Sequence, residues 1–134
     1  MTSLRIATWN IAHGRGLRPI QGLQTRSSMQ AHLRRIASLL VKLDADVVAL
    51  QEVDQESSWA GNFDHLEYLR VHAGYDFALH GVTTRRGGLF KLCYGNAFLS
   101  RHRLEEGEAV TFGRRTVGEK GFLFAEITVG RRRV

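Results

Sequence analysis

Cysteine occurs once in this chain, at Cys93, so an internal disulfide cannot form. Proline also occurs once, at Pro19. No apolar run approaches the roughly 20 residues that a membrane-spanning helix needs. The first residues, Met1 to Arg5, lead straight into a strand pattern and leave no room for a signal peptide. With the single cysteine, this makes a cytoplasmic protein the expectation. Lysine is scarce as well, confined to Lys42, Lys91 and Lys120, so the net charge of +6 is carried by arginine. A basic balance invites a nucleic-acid reading. The arginines are scattered, however, apart from pairs and the closing Arg131-Arg132-Arg133, and solvated faces account for most of them. What is present is ordinary for a soluble globular chain: 43% hydrophobic and 24% charged residues. At 134 residues the chain is one domain at most, long enough for a core.

The organising stretch is Asp46-Val47-Val48-Ala49-Leu50-Gln51-Glu52-Val53. Its apolar run is too short and too β-branched for a helix and reads as a strand buried on both faces. A carboxylate closing such a strand is costly unless something pairs with it, and a metal ion at the strand's carboxyl end would be such a partner. Taken alone, Glu52 reads more readily as a hydrated loop residue. A second run of the same kind, Arg5 to Ile11, also ends on a polar ligand type, Asn10. Between the two lies one helical pattern, in which Met29, Leu33, Ile36, Leu40 and Leu43 form an apolar stripe, with a capping box expected at Ser27 and Gln30. Strand, helix, strand is a crossover unit with parallel strands, which brings Asn10 and Glu52 side by side at one sheet edge.

Thr8-Trp9-Asn10-Ile11, the stretch from Asp46 to Val53, and Tyr94-Gly95-Asn96-Ala97-Phe98-Leu99-Ser100-Arg101 resemble, in order and spacing, the first three blocks of the endonuclease/exonuclease/phosphatase superfamily. The resemblance covers nearly the whole chain but about the first half of a family domain. It implies an α/β fold, the amino-terminal half of a four-layer sandwich of two sheets with outer helices, and a single, incomplete domain over residues 1–134. It also implies a metal-dependent phosphoester hydrolase, a phosphodiesterase or phosphatase. Glu52 would bind the cation, magnesium or alternatively manganese, and Asn10 would join it as ligand or orient the phosphate. His13, Arg15 and Asn96 are the further candidates for substrate contact. The substrate classes of the superfamily, nucleic acid, inositol phosphates and phospholipid headgroups, are not distinguished. Ala12 stands where some nuclease members place an acid. The later histidine-bearing strand, the Gly-Asp-x-Asn block and the final Asp-His pair have no matching position here, and Gly-Asp does not occur at all. The competing class is therefore a non-catalytic remnant or basic binding module.

The remaining chain is read in order. Gly14 and Gly16 mark a loop after the first strand, kept irregular by Pro19 and Gly22, where Arg15 and Arg18 could meet a phosphate. It is not a P-loop, because no Gly-Lys-Ser/Thr follows. Asp54 and Glu56 could extend an acidic mouth beside Glu52, but read more readily as solvated loop acids. Trp59 and Phe63 pack that loop or shape the entrance. Asp64 fits the cap of a second helix, which rejects a catalytic reading of Asp64-His65. Strands are expected from Tyr75 to Val82, Tyr94 to Leu99, Leu104 to Phe112 with a turn at Glu106-Gly107, and Gly121 to Val129, with a returning strand from Arg131. The segment from Thr83 to Gly88 reads as a turn. The strands at Ile6, Val47, Tyr75, Tyr94 and Phe122 are expected to make about one sheet, with one face uncovered and a tendency to self-associate.

Overall fold

A computed structural model of the protein describes residues 3–15, 24–112 and 120–134. Gly16, Arg18, Pro19 and Gly22 lie outside the described residues. Strand β1, Ile6–Asn10, leads through a short 3-10 turn, Ala12–Gly14, toward helix α1, Arg26–Leu43. Strand β2, Val47–Asp54, is followed by helix α2, His65–Ala73. Strands β3, Phe77–Arg86, and β4, Leu92–Ser100, complete a first sheet, and β5, Leu104–Phe112, β6, Lys120–Val129, and β7, Arg132–Arg133, form a second.

The first sheet has the order β1-β2-β4-β3, with β1 parallel to β2 and the other pairs antiparallel. Met29, Leu33, Ile36, Ala37 and Leu40 of α1 and Leu66 and Leu69 of α2 are buried with Val48, Leu50, Val53, Ala97 and Leu99 of the sheet. Burying such side chains contributes about 1.5–3 kcal/mol each. The apolar stripe of α1 is present, except that Leu43 at its end stays about half exposed (53%). Its cap is Thr25, which accepts from the Ser28 backbone N–H at 3.2 Å, two residues before the expected Ser27. A threonine hydroxyl also satisfies the orphan donor, so the helix starts two residues earlier. Asp64 caps α2 by accepting from Glu67 N–H at 3.0 Å.

The strand beginning near Phe122 is not part of the first sheet. β5, β6 and β7 pair antiparallel with one another, and this second sheet covers the face of the first that the helices leave open. Alternation explains the layering. On β4, Ala97 and Leu99 face the helices, while Phe98 lines an open apolar cleft with Val47, Leu104, Ala125 and Ile127 at the edge between the sheets. Close approach of the two sheets also uses glycines. A Cβ at Gly81 would meet Leu123 and Ala109, and one at Gly107 would overlap Leu79. Glu106-Gly107 is accordingly a bulge within β5, with Glu105 opposite Glu126 and Glu108 opposite Phe124, and not a turn. Thr83 to Arg86, read from sequence as a turn, continue β3 because Thr84, Arg85 and Arg86 pair with Tyr94, Cys93 and Leu92. Tyr75 stands outside the strand; it is buried and its hydroxyl donates to the Ala45 carbonyl at 3.1 Å.

Helices, first sheet and second sheet are thus three layers in sequence. The outer face of the second sheet carries Phe112, Phe122 and Phe124, each about half exposed (56%, 52% and 50%). Among the described residues no helix is long and apolar enough to cross a membrane.

Candidate active site

The parallel pairing of β1 with β2 sets Asn10 opposite Gln51, so the two strands end at one edge. There the Asn10 amide donates from Nδ2 to Glu52 Oε1 at 3.0 Å. The amide oxygen of Asn10 accepts from the Ala12 backbone N–H at 2.9 Å, which locks the orientation of the side chain. Glu52 reaches this position through a bulge. Leu50 pairs with Ala97 and Val53 with Gly95, so β2 advances by one residue more than β4, and Glu52 takes a left-handed backbone with φ of 56°. A β-bulge re-aims a side chain in this way, and a non-glycine residue in that region stores strain of order 1–3 kcal/mol. The Val53 carbonyl freed at the bulge accepts from His80 Nε2 at 3.0 Å. Burial holds the His80 imidazole below its ordinary value, so the neutral ring fills this role.

His13 joins the pair. The turn after β1 gives Ala12 and His13 left-handed backbones, with φ of 47° and 56°. The His13 ring is turned inward, with Nδ1 2.7 Å from Asp54 Oδ2 and Nε2 3.6 Å from Glu52 Oε2. Asp54 is fully buried at the end of β2, and its other oxygen accepts from Trp59 Nε1 at 2.8 Å. The reading of Asp54 as a solvated acid is therefore corrected: two donors replace its water. Glu56 does stay exposed, paired with Lys91 Nζ at 2.8 Å. Trp59 stacks on Tyr94 with ring centroids 5.7 Å apart, and His13 meets both rings edge-on, at 5.3 Å and 4.8 Å.

These residues wall a cavity of about 400 Å³ lined by Asn10, His13, Glu52, Tyr94, Asn96 and Lys120, together with Gln51, Thr83, Gly95, Phe112 and Gly121. Asn96 donates from Nδ2 to the Gly121 carbonyl at 2.9 Å and so ties the first sheet to the second across the cavity floor. Arg15 is not among the lining residues; its backbone carbonyl accepts from Gln24 Nε2. His65 lies outside the cavity, fully buried, with Nε2 donating to the Ala60 carbonyl at 2.8 Å. Tyr94 and Lys120 escape sequence reading as site residues, while Trp59 is read only as packing the loop or shaping the entrance, and Asp54 as an acid of the mouth or, in preference, of a solvated loop. For Asp54 a signal exists: it follows Val53 on a run still apolar enough to be strand, directly beyond Glu52. Lys120 and Phe112 carry no such signal, because only the packing of the second sheet brings them to the site.

Two stacked sheets flanked by helices on one side, with an amide–carboxylate pair at the carboxyl ends of a parallel strand pair, define an α/β sandwich with its site at the strand ends. The model of the Endonuclease/Exonuclease/phosphatase family matches residues 7–132, and the chain belongs to that family. Among solved structures it is similar to an endonuclease/exonuclease/phosphatase from Beutenbergia cavernae, at 22% identity and a TM-score of 0.68, over 95% of this chain and 35% of that one. A family protein from Leptotrichia buccalis matches at 21% identity and a TM-score of 0.63, over 98% and 52%. Sphingomyelinase C from Streptomyces griseocarneus matches at 24% identity and a TM-score of 0.62, over 100% and 47%. The chain thus spans about half, or less, of the length of these structures. No curated protein matches.

Proposed function

We propose that this chain supplies the cation- and phosphate-facing wall of a divalent-metal-dependent phosphoester hydrolase. The observation that carries the reading is the Glu52 carboxylate, held by the Asn10 amide at 3.0 Å on the wall of an open cavity at the parallel strand ends. The donor set fits a divalent cation in part. Glu52 offers Oε2, since Oε1 is engaged by Asn10, and phosphate oxygens and water would complete the sphere around magnesium or manganese. Among the described residues no group of three or more His, Cys, Asp or Glu forms a ready-made cation cage. When bound, the cation polarises a phosphoryl oxygen and offsets the charge that builds on it.

The chain's own groups divide the remaining tasks. Asn10 orients Glu52, its own amide fixed by the Ala12 N–H. Lys120 lines the cavity and presents an ammonium to an anionic substrate. Tyr94 lines it with aromatic surface, and Phe112 stands at its rim. Asn96 keeps the two sheets at fixed spacing under the site. Glu52 is the one carboxylate among the described lining residues. A cation ligand cannot also serve as general base, so the chain by itself is expected to turn over phosphodiesters poorly. This favours a working site completed by further residues of the domain.

The test is calorimetric titration of magnesium and manganese into the parent and Glu52→Gln, with hydrolysis of bis-p-nitrophenyl phosphate measured alongside. Weak binding to the parent, abolished in Glu52→Gln, with little turnover, is the expected result. Binding of equal strength in both proteins would remove Glu52 from the site and overturn the proposal.

A further inference from the structure

We infer that His13 is a nitrogen ligand beside Glu52, oriented by Asp54, so that this site takes an imidazole-accepting divalent cation such as manganese or zinc ahead of magnesium. The inference rests on the cation reading of Glu52 above and narrows it. It starts from Asp54, which is fully buried and can only accept. Its two oxygens take Trp59 Nε1 at 2.8 Å and His13 Nδ1 at 2.7 Å. The short His13 contact is a charge-assisted bond, which places the ring proton on Nδ1. In the neutral ring, Nε2 is then the open position. His13 lies on the cavity wall and is only 8% exposed.

What Nε2 meets there is Glu52 Oε2, at 3.6 Å. That separation is too long for a hydrogen bond. It is the separation expected of two atoms that share one cation. Ligands roughly 2.0–2.2 Å from a metal stand about 3.3–3.8 Å apart at tetrahedral to trigonal angles. A histidine that ligates a metal through one nitrogen and donates from the other to a carboxylate is the usual metal-site arrangement, because the carboxylate fixes the tautomer and raises ligand basicity. Asp54, clamped by Trp59, supplies that second interaction. The backbone is compatible with the same placement: Ala12, His13 and Glu52 hold left-handed conformations here, as Asp44, Glu56 and Asn62 do elsewhere in the chain. A nitrogen ligand moves preference along the first-row series, since imidazole suits zinc and related ions while magnesium favours oxygen alone.

The experiment titrates manganese, zinc and magnesium separately into the full chain, His13→Asn and Glu52→Gln. Asparagine tolerates the left-handed backbone that His13 adopts, so the variant keeps the turn. The parent should bind manganese and zinc at least about 10-fold more tightly than magnesium. His13→Asn should lose about 10–100-fold for manganese and zinc, in the range set by loss of a ligand's support, and stay within about 2-fold for magnesium. Glu52→Gln should lose all three. A second measurement needs no variant: in a 15N-labelled chain at fixed pH, one equivalent of zinc should shift His13 Nε2 and leave Nδ1 protonated. If Glu52→Gln abolishes binding while His13→Asn binds like the parent and Nε2 does not move, the inference is overturned and the Glu52 reading stands. If no cation binds at millimolar concentration, both fall.

Discussion

At the scale of single residues, the site is held in conformations that its own amino acids disfavour. Glu52 sits at φ of 56°, a region that costs an L-residue roughly 1–2 kcal/mol and a glycine nothing. Glu52→Gly should therefore fold with stability equal to the parent or slightly above it, while losing the cation. Urea denaturation with parallel calorimetry checks this, and destabilisation beyond about 2 kcal/mol would mean that the Asn10 contact outweighs the strain. Histidine burial sets a pH dependence of the fold. Burial holds both His65 and His80 below the ordinary value of 6.5. Near and below that value the unfolded chain binds more protons than the folded one, so stability is complete above about pH 6.5 and falls as the solution is acidified. The melting temperature should drop from pH 7.5 to 5, and His65→Gln with His80→Gln should flatten the slope. A slope unchanged in the double variant would assign the acid loss to other groups.

Elements carry the close packing on which the cavity depends. Gly95 pairs with Val53 across the bulge, and a Cβ there would overlap the Gly81 backbone carbonyl, which cannot swing aside as a side chain can. Gly95→Ala should cost about 1–3 kcal/mol or more by overpacking. Gly87→Ala, in open space, should stay within about 0.5 kcal/mol. Equal stability of the two variants in chemical denaturation would contradict the tight junction. This scale also shows how far the sequence could be read. The strand–helix–strand unit was legible because two short, continuous apolar runs flank one stripe of helical period, and the end of each run named its polar residue. The division into two sheets was not, since Phe122 to Val129 alternates well enough for either layer. What decides is pairing with β5 and the glycines that let Leu123 and Leu79 approach. His13 was legible as a candidate for substrate contact but not as the partner of Asp54, because nothing local says that Asp54 waits for it 41 positions on.

The whole molecule keeps an apolar surface that it does not cover with its described residues. Phe112 and Phe122 stand with ring centroids 6.4 Å apart on the outer face of the second sheet, with Phe124 near half exposure beside them. Contiguous exposed aromatic surface promotes association. We expect concentration-dependent self-association in size-exclusion chromatography with light scattering, reduced when Phe122 and Phe124 are both changed to serine. A monodisperse monomer at all concentrations would show that this face is tolerated in water.

The bulge in β2 has a meaning for how such a chain can change over generations. Val48, Leu50 and Val53 all enter the helix-facing core, and the step from Leu50 to Val53 is odd. Parity is thus broken once, at the active edge: were the same residues paired without the bulge, the Glu52 carboxylate would turn into the apolar interior and Val53 would leave it. Deleting Gln51 makes the step from Leu50 to Val53 even, so the core should survive while the carboxylate loses the aim that the bulge gives it. A Gln51 deletion scored by soluble yield and by cation binding checks this, and loss of folded protein would show that the bulge itself holds the strand. The lineage can therefore shorten this strand by one letter only by giving up the site.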